Sequence, residues 1–240
     1  VTERLQAVPP ATMHLWLMLV LTFTTGINDA VGYLGLDKVF TGNMTGNVVV
    51  LGMALAGGSG LPVLGPALAL VGFMAGAAVG GRTLRYAGPA WSPRTTALFA
   101  SVAVVMLALA AVLFAAGDEP ARPVQVTVTT LAALAMGVQA AAARHVAVKD
   151  VTTVVVTSTI TGLAADSPFG SGKGGGTIRR FAAVALILVG AGIGVLLLKV
   201  HLGWALLLAG VVIAAATALG AWHERAHRGG AEARAGGRAV

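Results

Sequence analysis

No cysteine occurs among the 240 residues, so disulfides, thiolate metal sites and cysteine nucleophiles are excluded at the outset. Charge is almost as scarce: Asp, Glu, Lys and Arg make up 10% of the chain, where a soluble domain carries about 25%. Aromatic residues are only 5%, and no basic helix interleaved with aromatics is present. The net charge of +7 and the pI near 10.8 therefore do not point to nucleic acid. His-Glu-x-x-His, a serine elbow and paired catalytic carboxylates are also missing. "GSGKGGGT" at 170–177 sets a lysine among glycines without the Walker spacing and reads as a flexible loop. The chain is read as non-enzymatic, with no cofactor and no metal. The alternating ten-residue segments of an outer-membrane barrel are absent as well.

Apolar sequence fills the space. Hydrophobic residues are 57% and the mean hydropathy is +0.86. A spanning helix needs about 20 apolar residues, and six stretches qualify, at roughly 12–34, 61–81, 95–117, 124–144, 181–199 and 203–222. The first is longer than a signal-peptide core and lacks a small-x-small cleavage site, so it is read as a retained helix. Two shorter apolar pieces, about 41–57 and 151–165, have the length of re-entrant or broken helices. The expected fold is all-α, a polytopic helical membrane protein of six transmembrane helices and two short re-entrant or broken ones. Residues 1–222 form one transmembrane domain, and 223–240 a basic, disordered tail.

Loop charges decide whether the short pieces cross. If neither does, Arg82, Arg85, Arg94, Lys173, Arg179, Arg180 and the basic tail share one side with the N-terminus. The positive-inside rule makes that side cytoplasmic. Trp16, Trp204 and Trp222 fall at span ends and Trp91 in an inner loop, a distribution expected of interfacial anchors.

The chain also divides into two comparable halves, about 12–117 and 124–222. Each runs span, short piece, span, span, and Thr45-Gly46-Asn47 in one corresponds to Thr157-Ser158-Thr159 in the other. The following span carries spaced glycines in both, Gly72, Gly76 and Gly80, then Gly190 and Gly194. Small residues let helix backbones approach in lipid, which makes these five, with Gly42 and Gly46, the candidate packing positions and leaves a homodimer open. Three spans per half would turn the second half upside down, an inverted repeat.

Polar residues concentrate in "VFTGNMTGNVVVLG", residues 39–52. On a helix, positions four apart share a face, so Thr41 pairs with Thr45, Gly42 with Gly46, and Asn43 with Asn47, with Thr41 or Asn43 as cap. Two readings stay open. Irregular backbone at membrane depth lines a wet cavity or is buried in protein, and broken helices in transporters face their solute. Alternatively the glycines and amides only pack helices together. Asp29, in the first span beside Asn28, is an intramembrane carboxylate, which by default faces a cavity or a partner. Its expected role is a proton or cation site. Arg144 and His145 end the fourth span, as surface charge, as a contact for an anionic solute, or with Arg144 paired to Asp29.

The candidate site gathers Asn28, Asp29, Tyr33, Thr41, Asn43, Thr45 and Asn47 from the first half, with Gln139, Arg144, Thr157 and Thr159 from the second. The partners expected are the lipid bilayer and a small solute or ion taken up by a secondary transporter or channel-like protein. The rival is a non-transporting membrane subunit or scaffold.

"TGINDAVGYLGLDKVFTGNMTGNVVVLGMAL", followed by "MGVQAAAARH" and "TVVVTSTITGLA", resembles the YoaK-like family of uncharacterised bacterial membrane proteins, from about residue 15 to 222. The resemblance implies a six-span protein of the bacterial inner membrane with no agreed activity. Gly26, Asp29, Ala30, Tyr33, Asn43, Met44, Thr45, Gly46, Asn47, Gln139 and Arg144 fall at the family-typical positions, to which the family assigns no roles.

Overall fold

A computed structural model describes residues 7–88, 90–146, 156–172 and 174–236. Those residues are helical and contain no strand. Six helices are long and apolar enough to cross a membrane: α1 (Pro10–Ala30, extended by a π-helical turn, Val31–Gly35), α3 (Leu64–Leu84), α4 (Pro93–Ala116), α5 (Arg122–Val146), α7 (Thr177–Leu198) and α8 (Leu202–Gly236). Two are short, α2 (Met44–Leu55) and α6 (Val156–Ala165). The start of the second short piece, 151–155, and residues 237–240 lie outside the described residues.

Local chemistry sets several boundaries. Pro10 and Pro93 sit in the first turns of α1 and α4, where a missing N–H costs nothing. Ser92 caps α4 by accepting from the Thr95 amide at 3.2 Å, and Gly117 ends it at φ +81°. α8 does not stop at 222 as the composition led us to expect. It runs to Gly236, and His223 is buried against the N-terminal segment, its Nε2 3.0 Å from the Val8 carbonyl.

α2 does not cross. After α1 the chain folds back along it, with the Val39 amide donating to the Gly32 carbonyl, and reaches the level of Asp29 before α2 begins. α2 then returns toward the side it came from: Lys38 bonds the Gly60 carbonyl at 3.1 Å, and Gly65 at the head of α3 lies against Asp37. Thus α1 and α3 are joined at one end of the bundle by a re-entrant loop and helix.

The large helices pack mainly as three pairs, α3 with α5, α1 with α7 and α4 with α8. Glycines make the first two close. A Cβ on Gly76 would strike the Leu134 carbonyl and one on Gly137 the Phe73 carbonyl. In the other pair, one on Gly190 would strike the Phe23 carbonyl and one on Gly26 the Ile187 carbonyl. Such contact replaces the hydrophobic drive that lipid cannot supply. The two crossings agree residue for residue: α1 maps on α5 by a shift of 111 (Gly26 to Gly137, Phe23 to Leu134) and α3 on α7 by a shift of 114 (Gly76 to Gly190, Phe73 to Ile187). Gly80 against Val138 and Ala141 repeats as Gly194 against Ile27 and Ala30 under the same shifts.

The apolar core runs along α1, α4, α5 and α8. Trp91 belongs to it and is no interfacial anchor: it is 1% exposed, stacked between His14 and Phe99, with its Nε1 donating to Thr96 at 2.8 Å. Trp16 and Trp204, by contrast, are close to half exposed.

Candidate functional site

The fold-back after α1 creates a polar recess that residues of several helices share. Asp29 projects from α1, and its Oδ1 accepts from the Gly42 amide at 2.7 Å and, at 3.4 Å each, from the Asn43 amide and the Thr41 hydroxyl. Asn43 caps α2, its Oδ1 taking the Gly46 amide at 3.1 Å. The carboxylate therefore faces the N-terminal end of α2, where free amides and the helix dipole favour negative charge.

Asn47 completes the loop. Its Oδ1 accepts from the Phe40 amide at 2.8 Å and its Nδ2 donates to the Phe40 carbonyl at 2.6 Å. One side chain thus satisfies both polar groups of a peptide that has left regular structure at membrane depth. Phe40 in turn stacks on Tyr33, ring centroids 4.7 Å apart.

Above this floor opens a cleft of about 510 Å³. Thr25 and Asp29 of α1 line it with Phe40, Gly42 and Asn43 of the loop, Thr45, Gly46, Val49 and Val50 of α2, Val156 and Thr157 of α6, and Ile187 of α7. Asn43, Thr45 and Thr157 are exposed in it, and Asp29 is half-buried. Residues of both halves thus share one recess, as the sequence led us to expect for Asp29, Asn43, Thr45 and Thr157. Thr25, Phe40 and Ile187 were not foreseen. Thr25 stands one turn before Asp29 and was legible as part of the same face; Phe40 and Ile187 carried no signal.

Other candidates lie elsewhere. Only the second Thr-Gly-Asn unit is helical, because α2 starts at Met44. Thr41, Gly42 and Asn43 form its cap and do not share a helical face with Thr45, Gly46 and Asn47. Asn47 and Thr41 are buried behind the cleft, their polar groups spent on Phe40 and Asp29. Arg144 is exposed at the end of α5, and Asp29 takes its hydrogen bonds from the loop instead. Thr159 is buried on α6, and Tyr33 does not reach the lining. Asn28 and Gln139 are fully buried. Asn28 donates to the Met136 sulfur at 3.3 Å, while its Oδ1 and both polar atoms of Gln139 have no partner among the described residues. No cluster of three His, Cys, Asp or Glu that would hold a metal is found among those residues.

A family model described as "Protein of unknown function (DUF1275)" matches residues 17–219. The chain is 31% identical over 151 residues to the UPF0700 transmembrane protein YoaK of Bacillus subtilis (strain 168), a match covering 62% of this chain and 65% of that one. No solved structure matches.

Proposed function

We propose that this chain, which belongs to the DUF1275 family of membrane proteins, is a small secondary transporter or channel-like protein of the bacterial cytoplasmic membrane. It moves a small polar solute or ion, without enzymatic chemistry, and both termini lie in the cytoplasm. The observation that carries this is the cleft itself. A half-buried carboxylate, a capped helix N-terminus and hydroxyls from both halves converge at one recess of about 510 Å³, inside a bundle built for lipid. Structural polar groups alone do not require that shared opening.

The matching glycine crossings support an inverted repeat, with α1, α3 and α4 exchanged for α5, α7 and α8. In such folds the solute site lies where the repeats meet, at broken helices. Asp29 then serves as the coupling carboxylate, with Asn43, Thr45 and Thr157 as solute contacts.

A second reading has its own support. Asp29 Oδ1 and both polar atoms of Asn47 are spent on the loop, so both residues would serve in a subunit that only packs. Asp29→Asn separates the two, because the amide oxygen still accepts from Gly42 while the charge is lost. In reconstituted vesicles we expect coupled uptake to be abolished with an unchanged Tm. Retained uptake would remove Asp29 from the mechanism. Since the chain has no cysteine, Asn43→Cys and Thr157→Cys can be probed singly with a membrane-impermeant thiol reagent. Reaction at both is expected, and protection of both would favour the packing reading.

A further inference from the structure

Resting on that reading, we propose that Asn28 and Gln139 form a second, occluded contact set for the solute, reached from the Asp29 cleft past the side chain of Met136. Both residues are 0% exposed, yet between them they leave two carbonyl oxygens and an amide nitrogen without a partner among the described residues. Buried polar atoms are ordinarily hydrogen-bonded, and a buried amide left unpaired calls for an explanation. Here there are two, and they are not independent. The shift of 111 that superposes the α1 glycine crossing on that of α5 also carries Asn28 onto Gln139. The two carboxamides occupy equivalent positions on the helices that exchange under the repeat, which is where a site shared by both halves belongs.

Met136 connects this pair to the cleft. Its sulfur accepts from Asn28 Nδ2 at 3.3 Å, and Gln139 follows it by one turn on the same helix face. Its methyl carbon backs the cleft floor, where a Cβ on Gly42 would lie 3.3 Å from it and 2.9 Å from Thr25 Cγ2. A thioether with three rotatable bonds can swing aside at small cost, and glycine at 42 leaves the room to do so.

The unspent groups also define the ligand. Two unpartnered carbonyl oxygens against one unpartnered amide nitrogen suit a small solute richer in N–H or O–H donors than in acceptor atoms. It must also be uncharged at this point. Asp29 is turned to the loop, Arg144 is exposed at the far end of α5, and His145 contacts the Gly88 carbonyl. An ion between the two amides would lack a counter-charge in a medium that penalises it heavily. Urea has this chemistry and serves as the probe.

The test uses Gln139→Cys in the cysteine-free chain, in proteoliposomes, with methyl methanethiosulfonate, small and uncharged, as reagent. We expect Met136→Ala to raise the rate of modification at position 139 at least tenfold, while Ala103→Cys, buried on α4, stays inert in both backgrounds. Met136→Ala should also raise urea permeability at least tenfold, and adding Gln139→Leu should cancel the gain. If Met136→Ala does not fold, Met136→Val is used with the same expectations. Equal rates at position 139 with and without Met136, or parallel reaction at position 103, would overturn the gate. Unchanged urea permeability would overturn the ligand class. Reaction at Asn43→Cys and Thr157→Cys with position 139 inert would leave the cleft function standing and remove only this inference.

Discussion

Asn47 shows how one side chain can license irregular backbone inside a membrane protein. Its carboxamide mimics the neighbouring strand that Phe40 lacks, donating to one side of the residue and accepting from the other. Removing it strands a peptide N–H and a C=O away from water, each costing about 1–3 kcal/mol. Asn47→Ala should therefore destabilise the protein by about 2 kcal/mol or more, read as a lowered Tm in detergent. Asn43→Ala removes only a cap in an exposed position, worth about 1 kcal/mol, and should lower the Tm less. Equal effects would mean that the Phe40 contact is not what holds the loop. The contrast was not legible in the sequence, where Asn43 and Asn47 look like repeats of one another. What separates them is Phe40, a partner whose backbone, not its side chain, is recognised.

At the scale of the elements, most of the architecture could be read before the structure. Span lengths come directly from apolar run length, and all six survive with shifted ends. The loop arginines argued that the first short piece stays on one side, and the fold-back at Val39 and the Gly65–Asp37 contact agree. The misreadings share one cause. Helical periodicity was extended over Thr41–Asn43, where the cap had already claimed the chain. It was cut short at 222, although the polar face of α8 goes on packing against residue 8. Glycine spacing marked the crossings but not their depth. Gly76 and Gly190 abut carbonyl oxygens of the facing helix, whereas Gly52 and Gly192 have open space around the position of a Cβ. Alanine at 76 or 190 must push two backbones apart, a distortion costing about 1–3 kcal/mol. Alanine at 52 or 192 should be neutral or slightly stabilising, since it improves helix propensity. Thermal unfolding of the four single variants in detergent checks this. Similar losses at 76 and 190 are expected because the two crossings repeat, and a large loss at only one would count against equivalent halves.

For the whole molecule, halves equivalent in the way we propose would carry a consequence that neither half shows alone. The cleft described above is built from one conformation of each half, with α1 and α2 supplying the floor and α6 and α7 the far wall. If the halves exchange conformations, the cleft closes and its counterpart opens on the opposite membrane face. The residues that line the counterpart follow from the shifts between halves: Phe73 takes the place of Ile187, Thr157 that of Thr45, and Thr161 that of Val49. Ile187 lines the present cleft, while Phe73 packs against the core. In vesicles, Ile187→Cys and Phe73→Cys should therefore react with an impermeant thiol reagent from opposite sides. In such an exchange the two states would be coupled, so anything that stabilises one would deplete the other. A tryptophan at Val49, which lines the present cleft, should wedge it open and slow labelling of Phe73→Cys severalfold, although position 49 and position 73 lie on different helices. A static bundle would label Phe73→Cys at the same rate, or not at all, whatever occupies position 49.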